Sequence, residues 1–179
     1  EAAIFGAIAK STRQRIRQAE RSGAEVVRFD ARGGDAPVGP GGIRGHLDRF
    51  YDLLLATGER RGFTFGARRE FVTWWERAFG AGHLVYLAAF RPGDSAAEAP
   101  AGPNGPLAGL ILFRHGERLS TVHSADMADA RAEFPGLPHL LRWRAIQVAL
   151  AEGRAEMDLG GVDVPGARHI PQPGEPMFG

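Results

Sequence analysis

Apolar residues recur at helical spacing in four stretches of the chain, and in alternating or unbroken runs in five others. The first helical stretch, 10–23, sets Ile16 and Ala19 on one face and Arg13, Arg17 and Arg21 on another, with Gly23 as its stop. "AEVVRF" then reads as a short strand. Positions 44–62 space Leu47, Phe50, Tyr51, Leu54 and Leu55 as a packed helix face, and 67–80 carries a heavy stripe of Phe71, Trp74, Trp75 and Phe79. "HLVYLAAFRP" predicts a strand buried on both faces, and "LAGLILFRHGERLSTVHSAD" a hairpin turning at 114–118. In 137–153 Leu140, Trp143, Ile146 and Leu150 recur at helical spacing, Leu141 and Val148 widen the apolar side, and Gly153 stops the helix. "AEMDLGG" reads as a closing strand that begins as core and ends on Asp158, Gly160 and Gly161. All three tryptophans, Trp74, Trp75 and Trp143, fall on these apolar stripes and are expected in the core.

Composition narrows this picture only a little. The 179 residues are 44% apolar and 24% charged, which fits one folded domain over 1–179. The Pro/Gly/Ala-rich stretch 92–106 is expected to be a mobile loop, and 165–179, with four prolines, an irregular tail. A net charge of +1 gives no global attraction to nucleic acid or anionic membrane. The absence of cysteine excludes disulfides, thiol catalysis and thiolate metal sites. The chain opens on Glu1 and stops in "PMFG", so it is expected to be a fragment or isolated domain of a longer protein.

Helix, strand, two helices, strand, hairpin, helix, strand is an α/β order. It is similar to the GNAT-like acyltransferase fold, a mixed sheet with a central antiparallel hairpin flanked by helices. Four stretches in order, "STRQRIRQAERSGAEV", "FYDLLLATGERRGF", "LAGLILFRHGERLSTVHSAD" and "LLRWRAIQVALAEGRAEMDLGGV", resemble the Fem family of non-ribosomal peptidyltransferases. These enzymes move amino acids from aminoacyl-tRNA onto peptidoglycan precursors. The resemblance runs from about Lys10 to Gly161 and implies the second of two GNAT-like domains, with an N-terminal partner domain in the same protein. Two departures stand out. The Phe-Lys segment that usually follows "DLGG" is missing. Family aromatics are replaced by Thr121 and His123, and a Gly-Ala-Ser by Ser124, Ala125 and Asp126, so that a substrate contact made by tyrosine in relatives is expected to be either absent or remade by His123.

Acyl transfer from an activated ester to an amine needs proximity, donors for the developing oxyanion and a group to take a proton. No G-x-S-x-G, HExxH or phosphate-cradling glycine loop is present. Asp158, followed by Gly160 and Gly161, is one candidate: an acid that orients or deprotonates an amine where backbone can approach substrate, or a turn cap beside tightly packed glycines. His123 is the second catalytic candidate, a histidine able to accept a proton near neutral pH or simply a polar residue. Ser124 and Asp126 follow it as substrate-binding candidates. Basic residues form two groups. Arg61, Arg68 and Arg69 are substrate-binding candidates, the last two opening a helix whose N-terminus adds donors for an anion, while Lys10, Arg13 and Arg17 are candidates for a tRNA-facing surface. A solvated helix face explains either group as well.

The resulting expectation is an aminoacyltransferase acting from aminoacyl-tRNA on the stem peptide of a lipid-linked or nucleotide-linked muropeptide, with no metal and no cofactor beyond that co-substrate. The alternatives are a CoA-dependent N-acyltransferase of GNAT type using acetyl-CoA or another acyl-CoA, and a non-catalytic precursor- or tRNA-binding domain. A cytoplasmic location is expected, peripheral to the inner face of the membrane if the precursor is lipid-linked.

Overall fold

A computed structural model describes residues 1–35, 38, 42–62, 64–94 and 105–160. The order of elements is α1 (Ala2–Ala7), α2 (Lys10–Arg21), β1 (Glu25–Asp30), α3 (Gly42–Arg61), α4 (Arg68–Gly80), β2 (Leu84–Phe90), β3 (Ala108–His115), β4 (Arg118–Asp126), α5 (Ala130–Glu133), α6 (Leu137–Ala151) and β5 (Glu156–Asp158). The strands form one sheet in the order β1-β2-β3-β4-β5. The first four are antiparallel neighbours, and β5 joins β4 in parallel after the α6 crossover. Gly161 and the segments 95–104 and 165–179 lie outside the described residues, as does the site role expected of Gly161.

Helices cover both faces of the sheet. Every residue of β2 is buried because alternate side chains enter opposite cores. Val85, Leu87 and Ala89 meet Ile16, Ala19, Leu140, Leu141 and Trp143 of α2 and α6. Leu84, Tyr86, Ala88 and Phe90 meet Leu47, Phe50, Val72 and Trp75 of α3 and α4. The α/β class, the hairpin and the four long helices follow the sequence pattern. No helix among the described residues is long and apolar enough to cross a membrane.

Several details depart from that pattern. The short helices α1 and α5 carry no signal in it. Trp74 is 47% exposed rather than core, because α4 overhangs the hairpin and the indole stacks from outside on Phe113 (centroids 5.0 Å apart, planes at 19°). Leu150 is exposed in the last turn of α6, where buried Val148 and Ala149 take the inner positions. Arg114 belongs to β3 and is buried, so the hairpin turn is confined to Gly116 and Glu117. The closing strand is three residues long, with only Met157 packed against the core and both ends exposed.

Candidate functional site

The two parallel strands part company almost as soon as they meet. Arg118 pairs with Glu156, Leu119 with Met157 and Ser120 with Asp158. Beyond Ser120 no described residue pairs with β4 on that side. Thr121 makes the last link, its Oγ1 donating to the carbonyl of Asp158 at 3.3 Å. The backbone then turns at Gly160 (φ +63°), where a Cβ would come within 3.1 Å of Thr121 Oγ1 and 3.3 Å of its carbonyl. Glycine there serves both a left-handed turn and a close strand approach. Asp158 is exposed, and its Oδ1 accepts the Gly160 N–H at 2.8 Å. The turn-capping role is therefore real, and it leaves Oδ2 without a partner among the described residues.

One inserted residue decides where the remaining β4 side chains point. Ile111 faces His123 across the hairpin, but the next residue, Leu112, faces Thr121, so Val122 is a bulge and stands exposed. Strand parity changes at that point. Leu119 lies in the α2/α6 core, whereas His123 turns towards α4 and Ala125 enters the α3/α4 core. The His123 ring sits 5.5 Å from the centroids of both Phe71 and Trp75. Burial lowers its pKa to about 4, so the imidazole is neutral at pH 7 and able only to accept a proton there. His123 and Asp158 do not form a pair: Asp158 turns back onto the Gly160 N–H, whereas His123 packs against Phe71 and Trp75.

Ser124, on the opposite side from His123, lines a cleft of about 80 Å³ between β3, β4 and the start of α6. Arg61, Asp126, Arg131 and Arg142 share that cleft, with Leu110 and Leu141 as its apolar walls. Asp126 is buried and acts as an anchor. It accepts from Arg60 Nη2 at 3.4 Å and from Arg131 Nη2 at 3.0 Å, and also from Arg131 Nε. Those hydrogen bonds raise the pKa of Arg131 further. Arg142 donates only to the Pro138 carbonyl, at 3.4 Å, and Arg61 has no hydrogen-bond or ion-pair partner among the described residues. Three of the substrate-binding candidates, Arg61, Ser124 and Asp126, thus line one cleft, away from Arg68 and Arg69, with which the sequence groups Arg61. Arg131 and Arg142 escape a reading of the sequence, because the segment 127–136 that folds them onto the same cleft carries no repeating signal.

The other candidates lie elsewhere. Arg68 is engaged between α3 and α4: it pairs with Asp52 and with Asp48 (3.7 Å), and its guanidinium lies 4.9 Å from the Tyr51 ring centroid. The hydrogen bond to Asp52 raises its pKa. Arg69 is exposed on the same helix. On α2, Arg13 donates to the carbonyls of Gly6 and Ile8 (2.7 Å to the latter) and so closes the end of α1. Arg17 lies 5.7 Å from the Phe5 ring, and Lys10 is exposed.

Comparison with known proteins agrees with this architecture. A family model described as "Acetyltransferase (GNAT) domain" matches residues 9–169. No curated protein matches the chain. Among solved structures, the crystal structure of FemX superposes with a TM-score of 0.70 at 16% identity over 97% of this chain, which spans 52% of the FemX chain. An aminoglycoside acetyltransferase from an uncultured soil metagenomic sample, solved with sisomicin, gives 0.51 at 10% identity, with 82% of each chain covered. A probable acetyltransferase gives 0.50 at 14% identity, covering 80% of this chain and 82% of that one. Such identities speak to fold alone. With the mixed sheet, the parting β4–β5 pair and a family match along most of its length, the chain belongs to the GNAT acetyltransferase-domain family.

Proposed function

We propose that this domain transfers an amino acid from aminoacyl-tRNA to an amine on the stem peptide of a peptidoglycan precursor. GNAT membership makes acyl transfer to an amine the natural class, and the four Fem-like stretches narrow the donor. The observation that carries the choice of donor is Gly136, the one glycine between β4 and α6. A CoA-type pyrophosphate loop needs glycine backbone open to the ligand at this place. Gly136 is instead backed onto α2, with a Cβ at its position only 2.3 Å from the Arg15 carbonyl oxygen. That packing disfavours the acyl-CoA alternative.

In the reaction the acceptor nitrogen attacks the ester carbonyl. A C–N bond forms, the C–O bond to the terminal ribose breaks, the amine loses a proton and the ribose hydroxyl gains one. The β4 edge beyond Ser120 offers backbone groups of Val122–Ala125 to the developing oxyanion. Asp158, with Oδ2 available, orients or deprotonates the amine. Arg61, Ser124 and Asp126 contact substrate. Arg69 and the already paired Arg68 are weaker candidates for that contact, and the exposed Lys10 and Arg17 belong to the tRNA-facing surface. An N-terminal GNAT-like domain of the same protein completes the enzyme.

The test is transfer to a precursor pentapeptide by the full-length protein with a mixed pool of charged tRNA, run beside acetyl-CoA. Product dependent on charged tRNA is the expected outcome, and its mass names the amino acid. Asp158→Asn should lower kcat by about 100-fold or more, the range of a lost general base. Product with acetyl-CoA alone would replace this reading with the CoA-dependent one. Precursor binding without product in either tube would leave a non-catalytic binding domain.

A further inference from the structure

We infer that the cleft between Arg61, Arg131 and Arg142 is a subsite for a compact oxyanion, a carboxylate or a phosphate, carried by the acceptor substrate. The inference rests on the cleft being part of the transfer site proposed above. Three guanidiniums line it and one carboxylate, Asp126, faces them. They arrive from three separate places: the end of α3, the short α5 and the second turn of α6. Like charges brought together from distant segments repel unless an anion shares them.

Asp126 holds Arg131 through Nε and Nη2, leaving Nη1 without a partner among the described residues. Arg61 and Arg142 have no carboxylate partner there at all. The space itself, about 80 Å³, is a few water volumes, enough for one oxyanion. Leu110 and Leu141 exclude water from two sides, which strengthens charge recognition, and the guanidinium fork matches the planar geometry of a carboxylate as well as it does phosphate.

Binding is measured by following backbone amide resonances of the isotope-labelled full-length protein. The titrants, at constant ionic strength, are N-acetyl-alanyl-alanine, the same dipeptide with an amidated C-terminus, and inorganic phosphate. Saturable shifts of Leu110, Ser124 and Ala125 with the free carboxylate, and none with the amide, are the expected result. Arg61→Gln and Arg142→Gln should each weaken that binding by about tenfold or more, as for loss of one charged hydrogen bond. Arg77→Gln, an exposed change on α4, should leave it unchanged. The same shifts from phosphate alone would support the subsite and assign it to a phosphate. Absence of saturable shifts at these residues with every titrant would overturn the proposal, and so would undiminished binding in both folded variants. Because no turnover is involved, failure of the transfer assay leaves this result standing, and the reverse holds too.

Discussion

His123 shows what a single titratable residue costs when it is turned inward. Its pKa is lowered from 6.5 to about 4 by burial, and that of His46, whose Nε2 is buried without a hydrogen-bond partner, falls to about 4 for the same reason. Between those values the unfolded chain binds a proton that the folded chain does not. Stability is therefore complete above pH 6.5 and is lost as pH falls from 6.5 towards 4. Each tenfold loss of proton affinity is worth about 1.4 kcal/mol, so each histidine accounts for up to roughly 3 kcal/mol at the bottom of that window. Urea denaturation at pH 7, 5.5 and 4.5 should show His123→Phe losing less stability on acidification than the parent. An equal slope in both proteins would mean that the ring is not desolvated. The sequence showed this histidine but not its side of the sheet, because the bulge that turns it inward is a property of the pairing with β3 and not of β4 alone.

Glycines at element ends illustrate a different limit. Gly23 and Gly153 close α2 and α6 with φ of +78° and +64°, and both are legible as stops because the apolar spacing ends beside them. Gly136 (φ +90°) has no such mark: its reason lies in α2, where the Arg15 carbonyl fills the place of its Cβ. Alanine at Gly136 meets both the left-handed penalty and a backbone clash, so the loss should be roughly 2–4 kcal/mol. Alanine at Gly153, where nothing lies within 4 Å, should cost only the conformational part, about 1 kcal/mol. Thermal unfolding of the two variants side by side checks the ranking, and equal losses would remove the α2–α6 approach as its cause. Trp74 departs from the sequence pattern for a related reason. A heavy stripe reveals a contacting face, but the rim of that contact is set by where the sheet ends.

Across the whole molecule, one buried arginine joins segments from both ends of the chain. Arg114 and Asp30 are each 3% exposed and pair at 2.5 Å. The same guanidinium donates to the Gly82 carbonyl at 2.9 Å and to Glu152, which also binds Arg154 at 2.7 Å. β1, β3, the approach to β2 and the end of α6 are fastened at one point, on a residue that reads from sequence as part of a turn. Arg114→Leu leaves Asp30 buried without its counter-ion and should cost about 3–5 kcal/mol in denaturant melts. The hydrogen bond from Arg114, against an opposing burial effect, lowers the pKa of Glu152 from 4.5 to about 2. A depressed carboxylate contributes stability above pH 4.5 that is lost as pH falls towards 2, below the histidine window. Glu152→Gln should flatten that lower acid limb and leave the loss between pH 6.5 and 4 in place.

The bulge at Val122 also sets where this stretch of chain can change its length. Because Val122 is the extra residue, a one-residue deletion there would leave Thr121 and His123 as neighbours still facing opposite sides of the sheet. A second deletion, with no extra residue left to absorb it, would carry His123 to the side of the arginine cleft and drive Ser124 in among Phe71 and Trp75. This strand can therefore shorten by one residue at its bulge, and by no more without repacking both faces of the sheet.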